Sequence, residues 1–139
     1  MPASSIVLVV VLALPVASLY QQSVAVKGQL LCGTKPLSGT SVKLWNKNTL
    51  GHDELLDNTF TNGTGHFELS GGLGSLFKMN VKYKVYHECE EEKKPCKRKV
   101  TFRVPDSFVT RSSKPVTVFD AKVLNMEPKF PDEDRTCTK

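Results

Sequence analysis

No apolar run among the 139 residues is long enough to span a bilayer. The longest that is almost purely apolar, Ile6 to Ala17, rises about 18 Å as a helix, against a hydrocarbon core of about 30 Å. Glycine (9) and proline (8) are too sparse for a collagenous or low-complexity chain. Charge of one sign is also modest. The 19 basic and 14 acidic residues leave +5, too small an excess to make nucleic acid the leading partner. Only three histidines occur, His52, His66 and His87, and none has a sequence neighbour that completes a triad or a metal motif. Catalytic residues, metal ligands and cofactors are therefore not expected. There is no internal repeat and no linker, and the length favours one domain.

What is present starts with an address. Ile6 to Ala17 carries Pro15 near its end, small residues Ala17 and Ser18 follow, and no charged side chain occurs before Lys27. This pattern predicts a signal peptide over 1–18, atypical only in lacking an n-region Lys or Arg. The remaining chain divides into a domain over 19–126 and an irregular tail over 127–139, tied down through Cys137. All four cysteines, Cys32, Cys89, Cys96 and Cys137, follow the leader. An even number in an oxidising compartment predicts two disulfides. Cys89 and Cys96 are seven apart, outside the usual gap of zinc knuckles.

Period two dominates the domain. Val24, Val26, Gly28, Leu30 and Cys32 share one strand face, and Val42 and Leu44 share another. Val81, Tyr83, Val85, His87 and Cys89 follow the same rule, as do Cys96, Arg98, Val100, Phe102 and Val104. Asn62-Gly63-Thr64-Gly65, between Phe60 and Phe67, predicts a hairpin with a tight or slightly longer loop. Val116 to Leu124 is a further strand without clean alternation, buried on both faces or bulged. Leu73, Leu76 and Phe77 give one helical hint of a turn or two. The expected class is all-β, a sandwich with at most one short helical turn. If Glu90 to Pro95 closes a hairpin, Cys89 and Cys96 meet at its mouth, which favours Cys89–Cys96 with Cys32–Cys137 and leaves the other two pairings open.

The same strand pair carries a basic face. Lys82 and Lys84 point away from the apolar side, as do Lys97, Lys99 and Arg103, with Tyr86 among them. Such a cluster attracts anionic phospholipid headgroups or sulfated glycans. It also serves to discourage strand-to-strand aggregation, and Glu88 and Glu90 to Glu92 lie close enough to offset part of it. One stacking ring among these cations is too few for nucleic acid. The acidic groups Glu90 to Glu92 and Asp132 to Asp134 lack the spacing of a calcium loop. Asn62-Gly63-Thr64 is a glycosylation sequon on the expected turn. Trp45, opposite in parity to Val42 and Leu44, caps the core from a strand end or joins a binding patch, core packing being the safer expectation.

The runs Val24-Ala25-Val26-Lys27-Gly28-Gln29-Leu30-Leu31-Cys32, Lys35-Pro36-Leu37, Val42-Lys43-Leu44-Trp45 and Asp53-Glu54-Leu55-Leu56-Asp57 come first. Gly65-His66-Phe67-Glu68-Leu69, Val85-Tyr86-His87-Glu88-Cys89, Pro95-Cys96-Lys97-Arg98, Phe119-Asp120 and Cys137 follow. In this order and spacing the chain resembles the nematode transthyretin-like family. The resemblance implies a transthyretin-like sandwich of two antiparallel sheets, secretion and a pair of disulfides. It implies extracellular recognition or bridging at cell surfaces, not thyroid-hormone carriage. A related fold carries hydroxyisourate hydrolysis with a C-terminal Tyr-Arg-Gly-Ser, which Arg135-Thr136-Cys137-Thr138-Lys139 does not match. The expectation is a secreted, non-enzymatic binding protein for an anionic or lipidic surface, or for an extracellular receptor. The alternative is a carrier of a small hydrophobic ligand.

Overall fold

The computed structural model describes residues 20–48, 51–91 and 94–137, so the expected leader 1–18 and Glu92 lie outside the described residues. Nine strands are found among them: β1 Tyr20–Cys32, β2 Lys35–Pro36, β3 Ser41–Asn46, β4 Glu54–Phe60, β5 His66–Ser75, β6 Val81–His87, β7 Lys97–Arg103, β8 Phe119–Asn125 and β9 Asp134–Thr136. One sheet has the order β2-β1-β5 with β8 also paired to β1, and the other has the order β4-β3-β6-β7-β9. Among the described residues no helix is long and apolar enough to cross a membrane.

Alternation builds both layers, because a strand with one buried face must place apolar side chains at every second position. Val24, Val26 and Leu30 of β1 meet Val42 and Leu44 of β3 and Val81, Tyr83 and Val85 of β6 in one core, closed by Met79, Val100, Val104 and Met126. Gly28 falls on that inward parity too. A Cβ there would lie 2.9 Å from the Phe67 ring, so the glycine makes room for an aromatic neighbour.

Several expectations are corrected. The first sheet is mixed rather than antiparallel, because β8 runs parallel to β1. The irregular pattern of Val116 to Leu124 has its cause in a bulge: Lys27 pairs with Asp120 but Gln29 with Val123, and Lys122 adopts φ 62°. The Asn-Gly turn forms, yet the strands it joins diverge into opposite sheets. Positive φ falls on Gly65 (80°), and neither Asn62 nor Gly63 needs it. Leu73 lies inside β5, held by register with β1, and among the described residues the 3-10 turn is at Asp106–Phe108 instead. The tail is not wholly irregular, since Asp134–Thr136 pairs with β7.

Candidate functional site

The outward face of the five-stranded sheet is assembled from the polar parity of β3, β6 and β7. Lys43 lies opposite Lys84, Trp45 opposite Lys82, and Ser41 opposite Tyr86. On the far side of β6, Lys82 pairs with Arg103, Lys84 with Thr101 and Tyr86 with Lys99. Like charges directly across a ladder repel. The repulsion is relieved diagonally, with Lys43 Nζ 5.1 Å from the Tyr86 ring centre and Lys84 Nζ 5.5 Å from that of Trp45. Cations and aromatic rings thus interleave across three strands.

Some cations on this face have acidic partners. Lys99 approaches Asp134 at 3.9 Å, Arg103 approaches Asp106 at 3.5 Å, and Lys47 is bonded to Asp53. Among the described residues, no ion pair within 4 Å engages Lys43, Lys82 or Lys84. Lys84 shows the consequence. Burial first, then the charges of Lys47 and Lys99, pull its ammonium below the usual lysine range. At the Tyr86 end, a depression of about 650 Å³ is bounded by Lys43, Asn58, Phe60, Glu88 and Lys97.

The structure therefore places Lys82, Lys84, Tyr86, Lys97, Lys99 and Arg103 together on one face. The contribution of β3 was missed. Its signal was the parity of Lys43 and Trp45 against Val42 and Leu44, but alternation does not say which strand lies beside which. Trp45 belongs to this face, not to the core. Glu91 is turned elsewhere, to Arg135 at 2.6 Å and Lys94 at 3.3 Å.

The disulfides are Cys32–Cys89 and Cys96–Cys137, with Cα separations of 5.6 Å and 4.4 Å, which corrects the expected pairing. The β6–β7 register, extended past His87–Arg98, would set Cys89 against Cys96. Instead β6 ends at His87, Glu90 takes φ 60°, and Cys89 turns into the core against Cys32 of the other sheet.

The histidines are separately placed. His52 is exposed in a loop. His66 Nδ1 lies 2.8 Å from the Thr64 hydroxyl. His87 is 2% exposed and its Nδ1 accepts the Cys89 N–H at 3.1 Å. Among the described residues, no three His, Cys, Asp or Glu side chains gather as a metal would require. Arg98, on the inward parity, is buried against Glu133, with Nη2–Oε1 at 2.7 Å and Nε–Oε2 at 2.9 Å. It also donates to the carbonyls of Cys89, Glu127 and Pro128. That set of bonds ties the tail to β7. The interior is occupied by wholly buried side chains such as Leu30, Leu44, Leu69, Met79 and Met126.

Comparison with known proteins agrees with this architecture. The model of the transthyretin-like family matches residues 27–105, which hold the second half of β1 from Lys27 on, all of β3 to β7 and every cation of the face. Transthyretin-like protein 33 of Caenorhabditis elegans is 40% identical over 121 residues, covering 86% of this chain and 85% of its own. Transthyretin-like protein 46 of the same organism is 42% identical, covering 86% and 68%. Transthyretin-like protein 5 is 37% identical, covering 84% of each. These relatives are named as transthyretin-like proteins, not as enzymes. On the extent of the family match and the identity to relatives covered over most of their length, the chain belongs to the transthyretin-like family.

Proposed function

We propose that this protein is a secreted binding module that recognises polyanionic surfaces through the outward face of its five-stranded sheet. The observation that carries the reading is the trio Lys43, Lys82 and Lys84, which makes no ion pair within 4 Å among the described residues and is interleaved with Trp45 and Tyr86. Lysines set side by side on one face repel one another, and at Lys84 the charges of Lys47 and Lys99 outweigh that of Asp53. An incoming phosphate or sulfate relieves that repulsion and gains from each cation, about 1 kcal/mol apiece near an anionic membrane. The rings stiffen the cations and offer apolar area beside them. Two disulfides suit an oxidising compartment, and the filled interior directs attention to the surface rather than to an enclosed ligand.

Anionic headgroups and sulfated glycans share this chemistry, so both are tested. Co-sedimentation with phosphatidylcholine vesicles, with and without phosphatidylglycerol, is run beside retention on immobilised heparin. The wild-type chain is expected to bind at least one anionic matrix and not the neutral vesicles. Lys43→Glu, Lys82→Glu and Lys84→Glu together should weaken that binding at least about tenfold. Undiminished binding by the triple variant, or no binding by the wild type to either matrix, would overturn the proposal.

A further inference from the structure

We propose that Asn62 is N-glycosylated and that the exposed Phe60 ring is the platform on which the first sugar rests. Asn62-Gly63-Thr64 satisfies the acceptor pattern, and its folded setting fits the modification. Thr61 is 4% exposed while Phe60, just before it, is 68% exposed. The Thr61 hydroxyl accepts the Thr40 N–H at 2.9 Å and donates to the Leu37 carbonyl, which fixes that side chain inward. Side chains alternate along extended backbone, so Phe60 and Asn62 both project to the solvent side.

The Asn62 carboxamide is held by its oxygen alone in every bond that defines the turn. Oδ1 accepts from the Thr64 N–H at 3.1 Å, the Thr64 hydroxyl at 2.9 Å and the His66 N–H at 2.9 Å. A glycan attaches to Nδ2, so all three bonds survive. In the transfer, Nδ2 displaces polyprenyl pyrophosphate from the anomeric carbon of a polyprenyl-pyrophosphate-linked oligosaccharide. One C–N bond forms, one C–O bond breaks, and Nδ2 gives up one proton. The step takes place in the export pathway and rests on the secretory reading, not on polyanion binding.

Phe60 supplies the second, independent observation. It leaves a large apolar ring at the lip of the turn, two residues before the acceptor. The axial C–H groups of an N-acetylhexosamine are weakly electropositive and the face of a phenyl ring is negative, so the two stack and shed water together. The turn closes through the Gly65 N–H to the Asn62 carbonyl at 2.9 Å, with Gly65 at φ 80°. That geometry keeps ring and acceptor on one short, rigid segment. Phe60 pairs with Ser41, at the end of β3 away from Trp45 and Lys82, so the glycan would border the basic face at the depression that Phe60 shares with Lys43 and Lys97.

The test expresses the full chain in cultured insect cells and collects the secreted protein. Intact-mass measurement should show an added glycan that peptide-N-glycosidase removes, leaving aspartate at position 62. Thermal melts of treated and untreated protein are then compared within wild type and within Phe60→Ser. The glycan is expected to raise the wild-type melting temperature by several degrees and to lose at least half of that increment in Phe60→Ser. Each variant is its own reference, so any direct effect of the substitution on folding cancels. Secreted protein with unmodified Asn62 would overturn the site, and an equal increment in both backgrounds would overturn the platform.

Discussion

His87 is a titratable ring sealed inside the sandwich, and its environment sets a pH dependence. Burial, and then the charge of Arg98, pushes its pKa from an ordinary 6.5 down to about 4, while Glu133 and Glu91 oppose the change. In the unfolded chain the imidazole takes up a proton near its ordinary value. In the fold it stays neutral until far more acid conditions. Between those two values the unfolded state binds more protons, so stability falls as pH falls. The contribution is fully present above about pH 6.5 and is lost progressively towards pH 4, by about 3 kcal/mol at most. Asp53, Glu91, Asp120 and Glu133 also have pKa values held below the usual carboxylate range, so their losses come at lower pH. Urea unfolding of the wild type should therefore show a falling midpoint between pH 7 and pH 5. His87→Gln, which cannot titrate, should be nearly flat over the same interval. Parallel curves for the two proteins would refute this assignment.

The elements were legible in the sequence where one face is buried and the other wet. The alternation in β1, β3, β6 and β7 follows directly from that arrangement, and the basic residues of β6 and β7 could be placed together because those strands are adjacent in sequence. Three features left no such trace. The bulge at Lys122 breaks the alternation of β8. The turn after His87 redirects Cys89 from its hairpin partner to the opposite sheet. The short β9 has no apolar face to read, since side-chain bonds hold it: Arg98 to Glu133 and Arg135 to Glu91. Glu133 illustrates the balance. Burial works to raise its pKa, yet the hydrogen bonds and charge of Arg98 hold it below the usual range. Arg98→Ala should therefore do more than remove one bond, because it strands a buried carboxylate and frees three carbonyls. The expected loss is about 3–5 kcal/mol in chemical unfolding. Amide exchange should speed up across Asp134–Thr136, although Cys96–Cys137 still tethers the segment. Replacing both charges, Arg98→Leu with Glu133→Leu, should recover much of the loss. An Arg98→Ala variant as stable as wild type would show that the tail is held by its disulfide and apolar contacts alone.

At the scale of the whole molecule, the two outward faces differ in how their charges are matched. On the four-stranded sheet, Lys27 is flanked by Glu68 on β5 and Asp120 on β8, and Lys122 lies 3.4 Å from Asp120. Cations there are answered by acids. On the five-stranded sheet, Lys43 and Lys84 face each other and are answered by aromatic rings. The net charge of +5 is thus expressed unequally, and the molecule has a direction in an electric field. This separates two explanations of anion binding that net charge alone would confuse. Lys43→Glu with Lys84→Glu and Lys27→Glu with Lys122→Glu change the total charge by the same amount. If long-range attraction governs binding, both double variants weaken it equally, and both losses vanish as salt screens them. If the matched and unmatched faces act as their geometry implies, the Lys43/Lys84 variant loses most of its binding to anionic vesicles or heparin. The Lys27/Lys122 variant should stay within about twofold of wild type at physiological ionic strength, where the screening length of about 8 Å is shorter than the distance through the sandwich. Equal losses in the two variants would remove the five-stranded face as the recognition surface.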